Sequence, residues 1–132
     1  MNPTTPPTKP EFKAVLLVDD DHQLVDALRS ALMDDNFLVD VAYDGEEAFL
    51  KTKVHQYDAI VCDLMMPKLP GDAFYRQTTE LHPELASRFL FITGYADDAT
   101  IRHFLSAVPA RYLLKPFTIQ ELIDAVRNLV SC

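Results

Sequence analysis

The stretch Ala59-Ile60-Val61-Cys62-Asp63-Leu64-Met65-Met66-Pro67 decides the fold. Four apolar residues run directly into a carboxylate, and a proline-marked loop follows. A short, uninterrupted apolar run bounded by a turn signal fits a strand buried on both faces, as in a parallel sheet. Asp63 then emerges at the carboxyl end of that strand, where open α/β sheets place their ligand sites. A carboxylate backed by a dry strand is a candidate nucleophile or metal ligand. A solvated loop aspartate is the plain alternative, and the rest of the chain decides between them.

Outward from this strand the same pattern repeats. Ala14–Val18 is an apolar run ending in Asp19-Asp20-Asp21, followed by Leu24, Val25, Leu28 and Leu32 at helical spacing. This predicts a strand and then a helix over 22–34, with Asp21 as N-cap. Residues 37–42 alternate Phe37, Val39 and Val41 with Asp40, which suits a less buried, edge-like strand. Asp44-Gly45-Glu46-Glu47 opens a helix reaching about Val54. After the Asp63 strand a helix is expected over 71–81, stopped near Pro83. Phe89–Ile92 is a further apolar strand ending in Thr93-Gly94. Ile101, Phe104, Leu105 and Val108 mark a fourth helix, with Asp97-Asp98 as its cap. Tyr112-Leu113-Leu114 is a last short strand running into Lys115-Pro116. Thr118 and Glu121 have capping-box spacing, with Phe117 and Leu122 placed as a staple, and open a fifth helix. Five β-α units with short connections predict an α/β fold: a doubly wound, open, five-stranded parallel sheet with helices on both faces.

Composition bounds the rest. The chain has 132 residues, 48% hydrophobic and 24% charged, enough for one soluble domain with an adequate core. Residues 1–11 carry Pro3, Pro6, Pro7 and Pro10 among threonines and predict a disordered tail, which leaves 12–132 as the domain. A net charge of −8 opposes binding to nucleic acid or to an anionic membrane surface. No apolar run approaches the ~20 residues needed to span a bilayer, and no signal-peptide core is visible. Two cysteines, Cys62 in a buried strand and Cys132 at the terminus, fit a reducing, cytoplasmic setting rather than a disulfide. His22, His55, His82 and His103 lack ligand spacing.

Four strands end in a chemically able residue: Asp19 and Asp20, Asp63, Thr93, and Lys115. In a parallel sheet these ends share one edge. Three carboxylates ~5 Å apart would repel by about 3 kcal/mol per pair at an effective dielectric of ~20. A hard divalent cation with oxygen ligands offsets that, and Mg²⁺ suits carboxylates plus water and phosphate oxygens. With Lys115 added, the site is near neutral and can receive a phosphoryl group. Asp63 then serves as nucleophile through an acyl phosphate, Lys115 clamps a phosphoryl oxygen, and the Thr93 hydroxyl donates to another. No Gly-rich phosphate loop accompanies these residues.

The motifs Leu17-Val18-Asp19-Asp20-Asp21, Asp63-Leu64-Met65-Met66-Pro67, Ile92-Thr93-Gly94 and Tyr112-Leu113-Leu114-Lys115-Pro116-Phe117 carry a resemblance. Over 13–130 the chain resembles the receiver domain of two-component response regulators, including the single-domain chemotaxis type. The resemblance implies a flavodoxin-like (βα)5 sheet of order 2-1-3-4-5 and a phosphoryl group accepted by Asp63 from a phosphohistidine. The donor would be a sensor histidine kinase or a phosphotransfer protein. It implies Mg²⁺ held by Asp20, Asp63 and the Met65 backbone carbonyl, with Asp19 acting through water. It makes Thr93 and Tyr112 a coupled switch, and Lys115-Pro116 a cis peptide. The fourth helix, last strand and fifth helix would form the surface offered to a downstream protein or an output domain; a homodimer is a further expected partner state. Met65 and Tyr95 occupy the two family positions flanking the phosphorylation site. Ala107-Val108-Pro109-Ala110-Arg111 stands where many receivers carry a Gly-containing turn, and is similar to receivers attached to hybrid sensor kinases.

Two other readings stand beside it. Asp19-Asp20-Asp21 has the D-x-D spacing of haloacid dehalogenase-like phosphatases, an enzyme that would use Asp19 as nucleophile and leave Asp63 without a role. A constitutive docking module, a pseudo-receiver, would need no phosphoryl chemistry, and the complete acidic set speaks against it. The chain is a stand-alone regulator or one domain of a longer protein.

Overall fold

The computed structural model describes residues 12–95 and 97–131. The expected tail over 1–11 and Cys132 lie outside the described residues. Five strands, β1 (Ala14–Val18), β2 (Leu38–Ala42), β3 (Ala59–Asp63), β4 (Phe89–Thr93) and β5 (Arg111–Leu114), form one parallel sheet of order β2-β1-β3-β4-β5. Five α-helices alternate with them: α1 (His22–Asp34), α2 (Gly45–Val54), α3 (Gly71–Leu81), α4 (Ala99–Ala107) and α5 (Ile119–Val130). The doubly wound α/β sheet expected from the sequence is the fold observed.

Strand pleating divides the interior into two cores. Leu16, Val18, Ile60, Cys62, Phe89 and Phe91 face α2, α3 and α4, while Val15, Leu17, Val61, Leu90 and Ile92 face α1 and α5. β3 and β4 are buried along their whole length, which is why their sequences are uninterrupted apolar runs rather than alternating ones. Each fully buried Leu, Ile, Val or Phe contributes roughly 1.5–3 kcal/mol. On the α3–α4 side Tyr75 packs edge-on against Phe89, Phe91 and Phe104 at 4.9–5.7 Å between ring centres. Such pairs add about 0.5–1.5 kcal/mol beyond area.

Helix starts follow their capping residues. Asp21, Asp44, Asp98 and Thr118 accept the N–H of Leu24, Glu47, Ile101 and Glu121. Thr118 and Glu121 complete a reciprocal capping box. At α2 the reciprocal bond is displaced by one residue, because Glu47 reaches the N–H of Tyr43 at 2.7 Å. One element lies beyond the sequence expectation: Pro83–Ser87 forms a 3₁₀ turn between α3 and β4.

Two glycines seat the loop that follows β3. A Cβ on Gly71 would stand 2.6 Å from the Asp63 carbonyl oxygen and 2.8 Å from the Leu64 Cα. A Cβ on Gly45 would overlap the Leu69 carbonyl. Both ends of the loop therefore pack backbone against backbone. The Lys115–Pro116 peptide is cis.

Candidate phosphoacceptor site

The carboxyl ends of β1, β3 and β5 meet in a cleft lined by Asp19, Asp20, Asp63 and Lys115, with Met65, Gly94 and Tyr95 along its rim. The ladder continues one residue past the strands, since the Asp19 N–H donates to Ala42 O and the Lys115 N–H to Thr93 O. Asp19, Asp63 and Lys115 thereby continue the pleat face of Leu17, Val61 and Leu113, and their side chains converge. Oxygens of Asp19, Asp20 and Asp63 lie within 4.8 Å of one another. Lys115 Nζ stands 3.4 Å from Asp63 Oδ2 and 3.5 Å from Asp19 Oδ2. Asp19 and Asp63 are buried, while Asp20 is exposed at the mouth.

Thr93 is placed differently. It continues the opposite face, that of Phe89 and Phe91, and is fully buried, with its Oγ1 accepting the Tyr95 N–H at 3.0 Å. Tyr112 is half exposed on that same side, in a groove with Arg102, Leu105, Ser106 and Leu114. The structure thus brings the three acids and Lys115 together in one cleft, and neither Thr93, buried at the end of β4, nor Tyr112 is among its lining residues. Met65 is half exposed at the cleft rim, whereas Met66 is buried.

Asp19, Asp63 and Thr93 make one recurrent turn. Asp19 Oδ1 accepts from Asp21 N at 3.0 Å, Asp63 Oδ1 from Met65 N at 3.1 Å, and Thr93 from Tyr95 N. Each is an Asx- or ST-type turn, which bends the chain away from the sheet and fixes the side chain over its edge. The Asp21 N–H thus positions Asp19, a role the sequence reading, which used Asp21 only as a helix cap, missed. An acid or threonine closing an apolar run was the available signal.

Electrostatics mark the site as incomplete on its own. Burial pushes the Asp19 carboxyl up to about 6; the Asp63 charge adds to this, while the Asp21 N–H and Lys115 oppose it. Burial alone would lower the Lys115 pKa, but Asp63 and Asp19 outweigh it and hold the ammonium protonated. Asp19 Oδ2 is buried without a hydrogen-bond partner. A buried oxygen with unspent acceptor capacity, in an all-oxygen donor set, fits a hard divalent cation such as Mg²⁺.

The sequence model of the response regulator receiver domain matches residues 15–127. The chain belongs to the response regulator receiver domain family. This receiver is 36% identical over 115 residues to the transcriptional regulatory protein CutR of Streptomyces coelicolor, an alignment covering 87% of this chain and 52% of that protein. The chain spans about half the length of the curated relatives it matches. Among solved structures, the receiver domain of Francisella response regulator 1452 matches at a TM-score of 0.79 and 28% identity, over 90% of this chain and 97% of that one. The receiver domain of the Pseudomonas aeruginosa sensor histidine kinase PA1611 matches in fold at a TM-score of 0.82 and 24% identity, over 92% of this chain and 100% of that one. That domain has a magnesium ion coordinated in its active site cleft. Membership of this family sets aside the haloacid dehalogenase-like reading. Among the described residues, no helix is long and apolar enough to cross a membrane.

Proposed function

We propose that this receiver accepts a phosphoryl group onto Asp63 from the phosphohistidine of a sensor histidine kinase or phosphotransfer protein. The observation that carries this reading is the meeting of Asp63 with Asp19, Asp20 and Lys115 at one sheet edge. An Asp63 oxygen attacks phosphorus, the P–N bond breaks, and the imidazole leaves with the electron pair and takes up a proton. An acyl phosphate remains on Asp63. Lys115 turns from Asp63 Oδ2 to a phosphoryl oxygen, and the Thr93 hydroxyl leaves the Tyr95 N–H to donate to another. Asp20, Asp63 and the Met65 carbonyl are the residues to hold Mg²⁺, with Asp19 through water. When bound, the cation neutralises charge shared between these acids and the phosphoryl oxygens.

The chain is in this reading a cytoplasmic switch rather than a turnover enzyme, although its own groups promote both its phosphorylation and its dephosphorylation. Thr93 and Tyr112 change together, and the surface of α4, β5 and α5 carries the result to a downstream protein or an output domain. A coupling of roughly 1–3 kcal/mol is enough for this. With its net charge of −8 the chain makes no direct contact with nucleic acid or membrane.

Incubation with acetyl phosphate, in Mg²⁺ or in EDTA, tests the reading by intact mass. One phosphoryl group per chain is expected, absent in EDTA and in Asp63→Asn. Labelling that survives Asp63→Asn refutes the assignment of the nucleophile, and no labelling under any condition leaves the constitutive docking module.

A further inference from the structure

A second depression opens beside the acidic cleft, between the loop after β3 and the start of α4. Its floor is apolar, formed by Leu64, Ile101 and Phe104, with half-exposed Met65 at one edge. Asp72 lines it from α3 and Asp98 from the start of α4. The space is about 210 Å³, which suits side chains of a docked segment better than a cofactor, whose pockets run ~300–1,000 Å³.

The chain itself displays the chemistry the groove favours. Arg76 Nη1 lies 3.1 Å from Asp72 Oδ2, and its guanidinium lies over the Phe104 ring at 5.5 Å. A carboxylate and an aromatic face together hold a cation there. Asp72 and Asp98 set two acids against this one guanidinium. The local balance is negative around an apolar floor.

Both walls hang from residues of the phosphoacceptor site. The Met65 N–H donates to Asp63 Oδ1. On the other side the Asp98 N–H donates to Tyr95 O, and the Tyr95 N–H donates to Thr93 Oγ1. On the phosphoacceptor reading, phosphorylation at Asp63 takes the charge from the oxygen that holds Met65 and gives the Thr93 hydroxyl a second partner, so both walls are tied to the state of Asp63.

We propose that this groove docks a segment of a partner protein that presents an apolar side chain beside arginine or lysine, and that phosphorylation weakens the docking. The state dependence rests on the phosphoacceptor reading above. The test titrates the acetylated, amidated peptide Leu-Arg-Leu-Lys into the isotope-labelled full chain with Mg²⁺, with and without beryllofluoride as a phosphoryl mimic, and follows backbone amide signals. Leu-Glu-Leu-Glu is the control.

Saturating shifts at Leu64, Asp98 and Ile101 are expected with the basic peptide alone. Beryllofluoride should weaken its Kd about five-fold or more, the lower end of ordinary coupling. Asp72→Asn and Asp98→Asn should each weaken it several-fold; asparagine caps a helix as well as aspartate does, so α4 keeps its start. Equal response to the acidic peptide, shifts centred on Tyr112 and Leu114, or no shifts overturn the groove. If beryllofluoride moves the Asp63 and Thr93 signals but leaves the peptide Kd unchanged, the state dependence falls and the phosphoacceptor reading stands. If beryllofluoride moves nothing, that reading falls, and the peptide shifts alone judge the groove.

Discussion

Asp19 and Asp40 sit on neighbouring strands, and the chain treats them in opposite ways. Asp40, in β2 beneath α2, accepts from Tyr57 Oη at 2.6 Å, Lys51 Nζ at 3.0 Å and the Val41 N–H at 3.0 Å. Burial alone would raise its pKa, but Tyr57, Lys51 and Val41 outweigh it and hold the carboxyl below its usual range. Asp19 is more deeply buried yet has one N–H on one oxygen and none on the other, with an ammonium at 3.5 Å. The fold can satisfy a half-buried carboxylate, and at Asp40 it does. At Asp19 it stops short, and the difference is unspent acceptor capacity on Oδ2.

The comparison breaks most visibly at Asp19. Asp19→Asn should stabilise the cation-free protein by about 2–3 kcal/mol, at roughly 1.4 kcal/mol per pKa unit relieved. Urea unfolding in EDTA measures this, and the gain should shrink in saturating Mg²⁺, which should stabilise the parent more than the variant. Asp40→Ala should do the reverse, costing about 2 kcal/mol after allowance for the solvent that reaches this carboxylate. Asp63 labelling should be unchanged in it. Equal and like-signed effects at the two positions would remove the distinction.

The pH dependence sharpens it further. A folded Asp19 near 6, above the ordinary 3.8, means that the folded state binds the extra proton. Its penalty is present in full above pH ~6 and is relieved as pH falls toward ~4. The stability difference between Asp19→Asn and its parent in EDTA should therefore narrow on acidification from pH 7.5 to 4.5. The same comparison for Asp40→Ala should stay nearly flat over that range, since the Asp40 pKa lies below the ordinary 3.8. The smallest expected effect is Tyr57→Phe, a loss of about 1 kcal/mol from one hydrogen bond to Asp40, read as a shift of the urea midpoint.

Most of the fold and the position of the site were legible in the chain because local patterns carried them. β3 and β4 are buried on both faces, so their runs were unbroken, and each strand end showed its polar residue plainly. The 3₁₀ turn at Pro83–Ser87 was not legible, since five residues without apolar period present only a helix stop. The Asp40 network was also missed. A polar residue alternating with valines read as a solvent-facing edge position, and its partners Lys51 and Tyr57 come from 11 and 17 residues away. That Thr93 lies on the opposite pleat face from Asp63 depends on strand register, Asp63 lying opposite Ile92. No single segment contains that information.

Gly45 and Gly71 carry a consequence for how this sequence can vary. Every substitution of a glycine adds a Cβ, and at these two positions that atom meets the backbone of Leu69 and of Asp63 with Leu64. A side chain at either position therefore forces the neighbouring backbone to shift. Change in the loop over 64–70 must therefore arise within the loop itself, at exposed residues such as Met65 and Lys68, while its two ends stay fixed by atoms that are not there.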